Sequence, residues 1–76
     1  MNPYYDLANA VIEQAVKDYR TALKQYILNP MDEEREVEVI LLECFFKSEW
    51  FQILSDLDGK SLMEKIRIIA KMEVAA

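Results

Sequence analysis

The side chains best able to do chemistry are few and poorly placed for catalysis. Histidine is absent, which removes Ser-His and Cys-His nucleophilic arrangements and the commonest transition-metal ligand. The single cysteine, Cys44, lies among Leu42, Phe45 and Phe46. Apolar surroundings raise a thiol pKa, so an inert, buried thiol is expected there. Asp56-Leu57-Asp58-Gly59 matches part of a calcium-binding loop. Leu54, however, stands at the first ligand position and Lys65 at the closing glutamate position, so the pattern is broken. Asp58 reads better as a helix cap. Glu33, Glu34, Glu36 and Glu38 read as a solvated acidic face and not as a catalytic carboxylate pair. No catalytic, metal-ligating or cofactor-binding residue is assigned, no cofactor or small-molecule substrate is implied, and a non-enzymatic protein is expected.

Basic residues offer one binding motif. Trp50 to Leu54, a turn over 56–59 and a following helix with Lys60, Lys65, Arg67 and Lys71 have the outline of a helix-turn-helix. Those four bases are the candidate nucleic-acid-binding residues. Ile68 and Met72 stand where polar base-reading side chains would be needed, and the preceding segments are acidic. DNA binding is therefore the alternative reading.

The elements that must position these groups are helical. One Gly and two Pro in 76 residues disfavour a turn-rich β fold and a long linker. Asn2-Pro3 and Asn29-Pro30 each place a capping side chain before a proline suited to the first helical position. From Pro3 to Leu28 the set Tyr5, Ala8, Ile12, Ala15, Val16, Tyr19, Ala22, Leu23, Tyr26 and Ile27 steps by three and four, one face of a long helix. A second helix is expected from Pro30 to Phe46 or Lys47, and a short one over 49–55 after Ser48, unless the second continues through that serine. The last starts at Asp58 or at Ser61, where Glu64 completes a capping box. Leu62, Ile66 and Ile69 are expected to face inward, with Met63 and Ala70 at the margin. Gly59 is expected to supply positive φ in the turn. The fold class that follows is all-α: a compact, single-domain bundle of three to four helices over residues 1–76.

The net charge of −5 is concentrated in the middle. Six acids against Arg35 and Lys47 occupy residues 31–47, and Glu49, Asp56 and Asp58 follow without a base. Such an acidic centre disfavours phosphate contact by the whole domain. The apolar runs are too short to span a membrane, and the N-terminal residues lack the basic and apolar regions of a signal peptide. One cysteine cannot make an internal disulfide. No membrane association and a cytoplasmic location are expected.

Val37 to Phe46 is the most informative stretch. At 100° per residue, Val37, Ile40, Leu41, Cys44 and Phe45 form one stripe, expected in the core. Val39, Leu42 and Phe46 form another, roughly opposite. Together with Ile68 and Met72 these three are the candidate protein-interaction residues. They are covered either by neighbouring helices of the same chain or by a partner: a second copy in a homodimer, or a host protein.

Tyr5-Asp-Leu-Ala-Asn-Ala-Val-Ile, Ala15-Val-Lys-Asp-Tyr-Arg and especially the run from Phe45 to Gly59 resemble a group of small uncharacterised proteins encoded in prophages and other mobile elements of Gram-positive bacteria. The resemblance implies a phage or mobile-element origin and an intracellular place of action, and it transfers no catalytic residue. The expected function is that of a small accessory or regulatory protein acting through protein–protein contact and self-association. In one version, the acidic segment 32–49 acts as a nucleic-acid mimic toward a host DNA-binding enzyme.

Overall fold

The computed structural model describes residues 3–76, apart from the Tyr4 side chain. The chain runs through α1 (Pro3–Leu28), α2 (Glu33–Lys47), α3 (Glu49–Leu54) and α4 (Gly59–Ala75), with no strand among the described residues. This is the expected all-α bundle. The Asn2 cap lies outside the described residues.

Helix α1 is the spine. Its 26 residues rise about 39 Å at 1.5 Å each, close to the molecule's longest dimension of 42 Å. Both α2 and α4 pack along it and touch each other less, while α3 packs against α1 and α2. Ala8, Ile12, Ala15, Tyr19, Ala22 and Leu23 are its buried face. Ala8, Ala15 and Ala22 recur every seven residues, and side chains that small let a neighbouring helix approach closely. Tyr5 and Ile27, expected inside, are exposed; they sit at the two ends of α1, which outreaches its shorter neighbours.

Helix α2 begins later than the Asn29-Pro30 pair suggests. Residues 29–32 make a turn in which the Asp32 N–H donates to the Asn29 carbonyl at 3.1 Å. The Asp32 carboxylate then accepts from the Glu34 and Arg35 N–H groups at 3.1 and 3.3 Å. A carboxylate satisfying two free N–H groups at the positive end of the helix dipole outcompetes an asparagine three residues earlier.

Ser48 breaks the middle helix and serves both sides of the break. Its hydroxyl donates to the Phe45 carbonyl at 2.6 Å and accepts from the Phe51 N–H at 3.1 Å. One extended residue (φ −76°, ψ 158°) thereby ends α2 and starts α3. The redirected chain folds Phe51 back against Phe46, their rings 5.5 Å apart.

Asp58 starts α4, accepting from the Lys60 N–H at 3.3 Å and from the Ser61 hydroxyl at 2.8 Å. The Ser61 hydroxyl lowers the Asp58 carboxyl below its usual range. Ser61 therefore lies inside the helix and does not cap it. Gly59 does not take positive φ. It is there because the start of α4 meets the end of α2: a Cβ on Gly59 would collide with the Phe46 carbonyl oxygen.

Two helix faces differ from expectation. In α4 the buried residues are Gly59, Met63, Ile66 and Ala70, whereas Ile69 is exposed and Leu62 only partly buried. In α2 the stripes exchange roles. Val39 and Phe46 are buried, with Leu42 packed against the core, and Val37, Ile40, Leu41 and Cys44 face outward. Only Phe45 of the expected core stripe packs against the interior.

Candidate contact surface

The outward face of α2 is an ordered apolar feature at the surface. Val37, Ile40, Leu41 and Cys44 fall at i, i+3, i+4 and i+7, a narrow stripe along one side of a helix. Val37, Ile40 and Leu41 keep 54%, 50% and 64% of their accessible surface. Among the described residues nothing covers them fully, and it is Val39, Leu42 and Phe46 that pack with the core.

Charge frames the stripe unequally. The first turn of α2 carries Glu33, Glu34 and Glu36, and its last turn carries Lys47. Arg35 is occupied, pairing with Glu38 at 2.7 Å and Asp32 at 3.9 Å. Among the described residues, Glu33, Glu36 and Lys47 form no ion pair within 4 Å, although the Lys47 charge acts on Glu43, one turn back.

Beside Leu41 lies a shallow groove between α1 and α2, of about 320 Å3, walled by Val11, Ala15, Leu42, Phe45 and Trp50. The Trp50 ring stands edge-on to Phe45 at 5.7 Å and remains largely exposed. The apolar surface therefore extends from the stripe of α2 toward the short helix.

The five residues expected to mediate contact do not form one patch. Val39 and Phe46 are core, Leu42 is half-buried, and Ile68 and Met72 lie exposed on α4 with Ile69. Of the two alternatives for the α2 residues, cover by neighbouring helices of the same chain holds for Val39 and Phe46, while Leu42 is covered only in part. Exposure of Cys44 overturns the expectation of a buried thiol.

Arg67, one of the four candidate DNA contacts, is already engaged. Its Nη2 donates to Glu43 Oε2 at 2.8 Å and its Nε to the Tyr19 hydroxyl oxygen at 3.0 Å. The Tyr19 O–H donates to the same Glu43 oxygen at 2.6 Å. This closed triangle ties α1, α2 and α4 together. Burial, followed by the Glu43 carboxylate, pushes the Tyr19 phenol up to about 12. Burial would raise Glu43, but the hydrogen bonds from Tyr19 and Arg67 outweigh it and hold the carboxyl below its ordinary value. Because its three hydrogen bonds join three helices, the triangle is a structural clamp. Of the remaining bases, helical spacing places Lys60 and Lys71 on the Arg67 side and Lys65 among Ile68, Ile69 and Met72. Tyr19 and Glu43 escaped sequence reasoning because 24 residues separate them; the available hint was a tyrosine on an apolar face, whose buried hydroxyl requires a partner.

Among the described residues, no helix is long and apolar enough to cross a membrane. No family model matches this chain, and neither does any curated protein or solved structure.

Proposed function

We propose that this chain is a small non-enzymatic accessory or regulatory protein that acts through protein–protein contact, including contact with its own copies, at the outward face of α2. The observation that carries this reading is the stripe Val37, Ile40, Leu41 and Cys44, left uncovered by a fold whose core is complete without it. Four apolar side chains at helical spacing gain by leaving water, at roughly 25 cal/mol per Å2 of apolar area, and contact with another molecule would cover them. The resemblance of Phe45 to Gly59 to mobile-element proteins supports a phage-type setting.

Sedimentation at several concentrations tests the reading. The native chain should gain mass with concentration, and Leu41→Glu should remain monomeric with unchanged helix content. A native chain that stays monomeric throughout, or a Leu41→Glu chain that associates as well as native, defeats self-contact at this face.

A further inference from the structure

We infer that the partner on α2 is a second copy of this chain, bound through an antiparallel α2–α2 contact whose two-fold axis passes midway between Ile40 and Leu41. This rests on the contact function proposed above and specifies its geometry. The stripe is symmetric about that midpoint. A two-fold axis there places Ile40 opposite the partner's Leu41 and Val37 opposite the partner's Cys44, so all four side chains are covered at once.

Charge selects the antiparallel arrangement. A parallel pair would stack the acidic first turn of α2, with Glu33, Glu34 and Glu36, on its own copy. Like charges brought together oppose association, and the two helix dipoles would also align unfavourably. The antiparallel pair sets Lys47, whose own chain offers it only the more distant charge of Glu43, beside the partner's Glu33 and the partner's Glu36, which form no ion pair among the described residues of their own chain. By helical spacing Glu33, Glu36 and Lys47 flank the stripe on one side. A two-fold axis of this kind keeps that side facing its counterpart. A single pair of 15-residue helices is small against the roughly 1,200–2,000 Å2 of a standard interface, so the contact forms reversibly with concentration.

Cys44 provides the test, because it is exposed and is the chain's sole thiol. Position 37 lies seven residues away, about 10.5 Å along the helix. That exceeds the roughly 7 Å that a disulfide can bridge. Val37→Cys therefore cannot close a bond within one chain. In a glutathione redox buffer, at concentrations where the native chain associates, Val37→Cys should form a covalent dimer whose peptide map joins residues 37 and 44. The native chain should form little. Circular dichroism of Val37→Cys checks that the helices are retained. Lys47→Glu should weaken association by about 2- to 30-fold, the range for two symmetric exposed ion pairs. Combining it with Glu33→Lys and Glu36→Lys should restore association.

Cross-linking of the native chain through Cys44 alone, as strongly as in Val37→Cys, would show a parallel pair and overturn the inference. So would association lost in Leu41→Glu with no 37–44 bond in Val37→Cys, which leaves the contact function standing. A native chain monomeric at every concentration overturns the inference together with the self-contact part of the proposed function.

Discussion

Gly59→Ala gives a sign test of the packing between α2 and α4. Replacing a helical glycine by alanine ordinarily stabilises a helix by about 0.5–1 kcal/mol, because the folded backbone gives up less freedom. Gly59 has ordinary helical φ, so no backbone strain opposes the exchange. The opposing effect is steric. The new methyl group would collide with the Phe46 carbonyl oxygen, lie 3.0 Å from its carbonyl carbon and sit 3.5 Å from the Phe51 ring. Two of these three atoms are backbone, held by the end of α2, so relief requires α4 to move as a body away from the Phe46–Phe51 pair. Overpacking of this kind costs about 1–3 kcal/mol and occasionally more, which outweighs the propensity gain. A net loss of about 1 kcal/mol should lower Tm by roughly 4–8 °C in a domain of this size. Thermal and urea unfolding followed by circular dichroism measure it, with Lys60→Ala, one residue on and exposed, as the neutral control. A Gly59→Ala chain as stable as native, or more so, would refute the close approach of α4 to the Phe46 carbonyl.

Three further outcomes follow from the same contacts. Phe46→Ala should cost about 3–5 kcal/mol, whereas Ile40→Ala should cost under about 1 kcal/mol; comparable losses in urea unfolding would return Ile40 to the core. Tyr19 titrates at about 12 when folded and near 10 when unfolded, so its contribution is full below pH 10 and is lost between pH 10 and 12. Relative to Tyr19→Phe, native stability should therefore fall by about 2–3 kcal/mol across that window, and parallel stability profiles of the two proteins would dissolve the clamp. Random duplex DNA should not shift with the native chain at ordinary salt, since Arg67 is neutralised by Glu43 and the net charge is −5; salt-dependent binding lost in a Lys60→Ala/Lys71→Ala double variant would revive the DNA-binding reading.

Helix number, helix order and most boundaries were legible because local chemistry sets them. Ser48 and Asp58 cap with their own side chains, and the period of α1 needs no partner to be read; the start of α2 was misplaced at Asn29 because Asp32 offers the stronger cap. The inward face of α4 was not legible, for a physical reason. Hydropathy weights Leu62 and Ile69 above Gly59 and Ala70, but the axis of closest approach goes to the smallest side chains. Gly59 lies against the Phe46 carbonyl, and Ala70 is fully buried. A helix docked on its small residues turns larger ones to the flanks, which is where Leu62 and Ile69 sit.

The inversion of α2 shows what decides between two apolar stripes on one helix. Counting favours Val37, Ile40, Leu41, Cys44 and Phe45 over Val39, Leu42 and Phe46, five against three. Three long-range constraints act the other way. The Phe46 ring fills the centre, 5.4 Å from Tyr19 and 5.5 Å from Phe51, a volume that Cys44 cannot supply. Glu43 must point toward α1 and α4 to meet Tyr19 and Arg67, and on a helix Glu43 is the neighbour of Val39 and Phe46, not of Leu41. The end of α2 must also bring the Phe46 carbonyl against Gly59. Each constraint rotates the helix in the same sense, and each rests on a partner far away in sequence. What they leave outside is the more numerous stripe, so the surplus of apolar residues that identified α2 belongs to its surface, on the same helix that helps to complete the core.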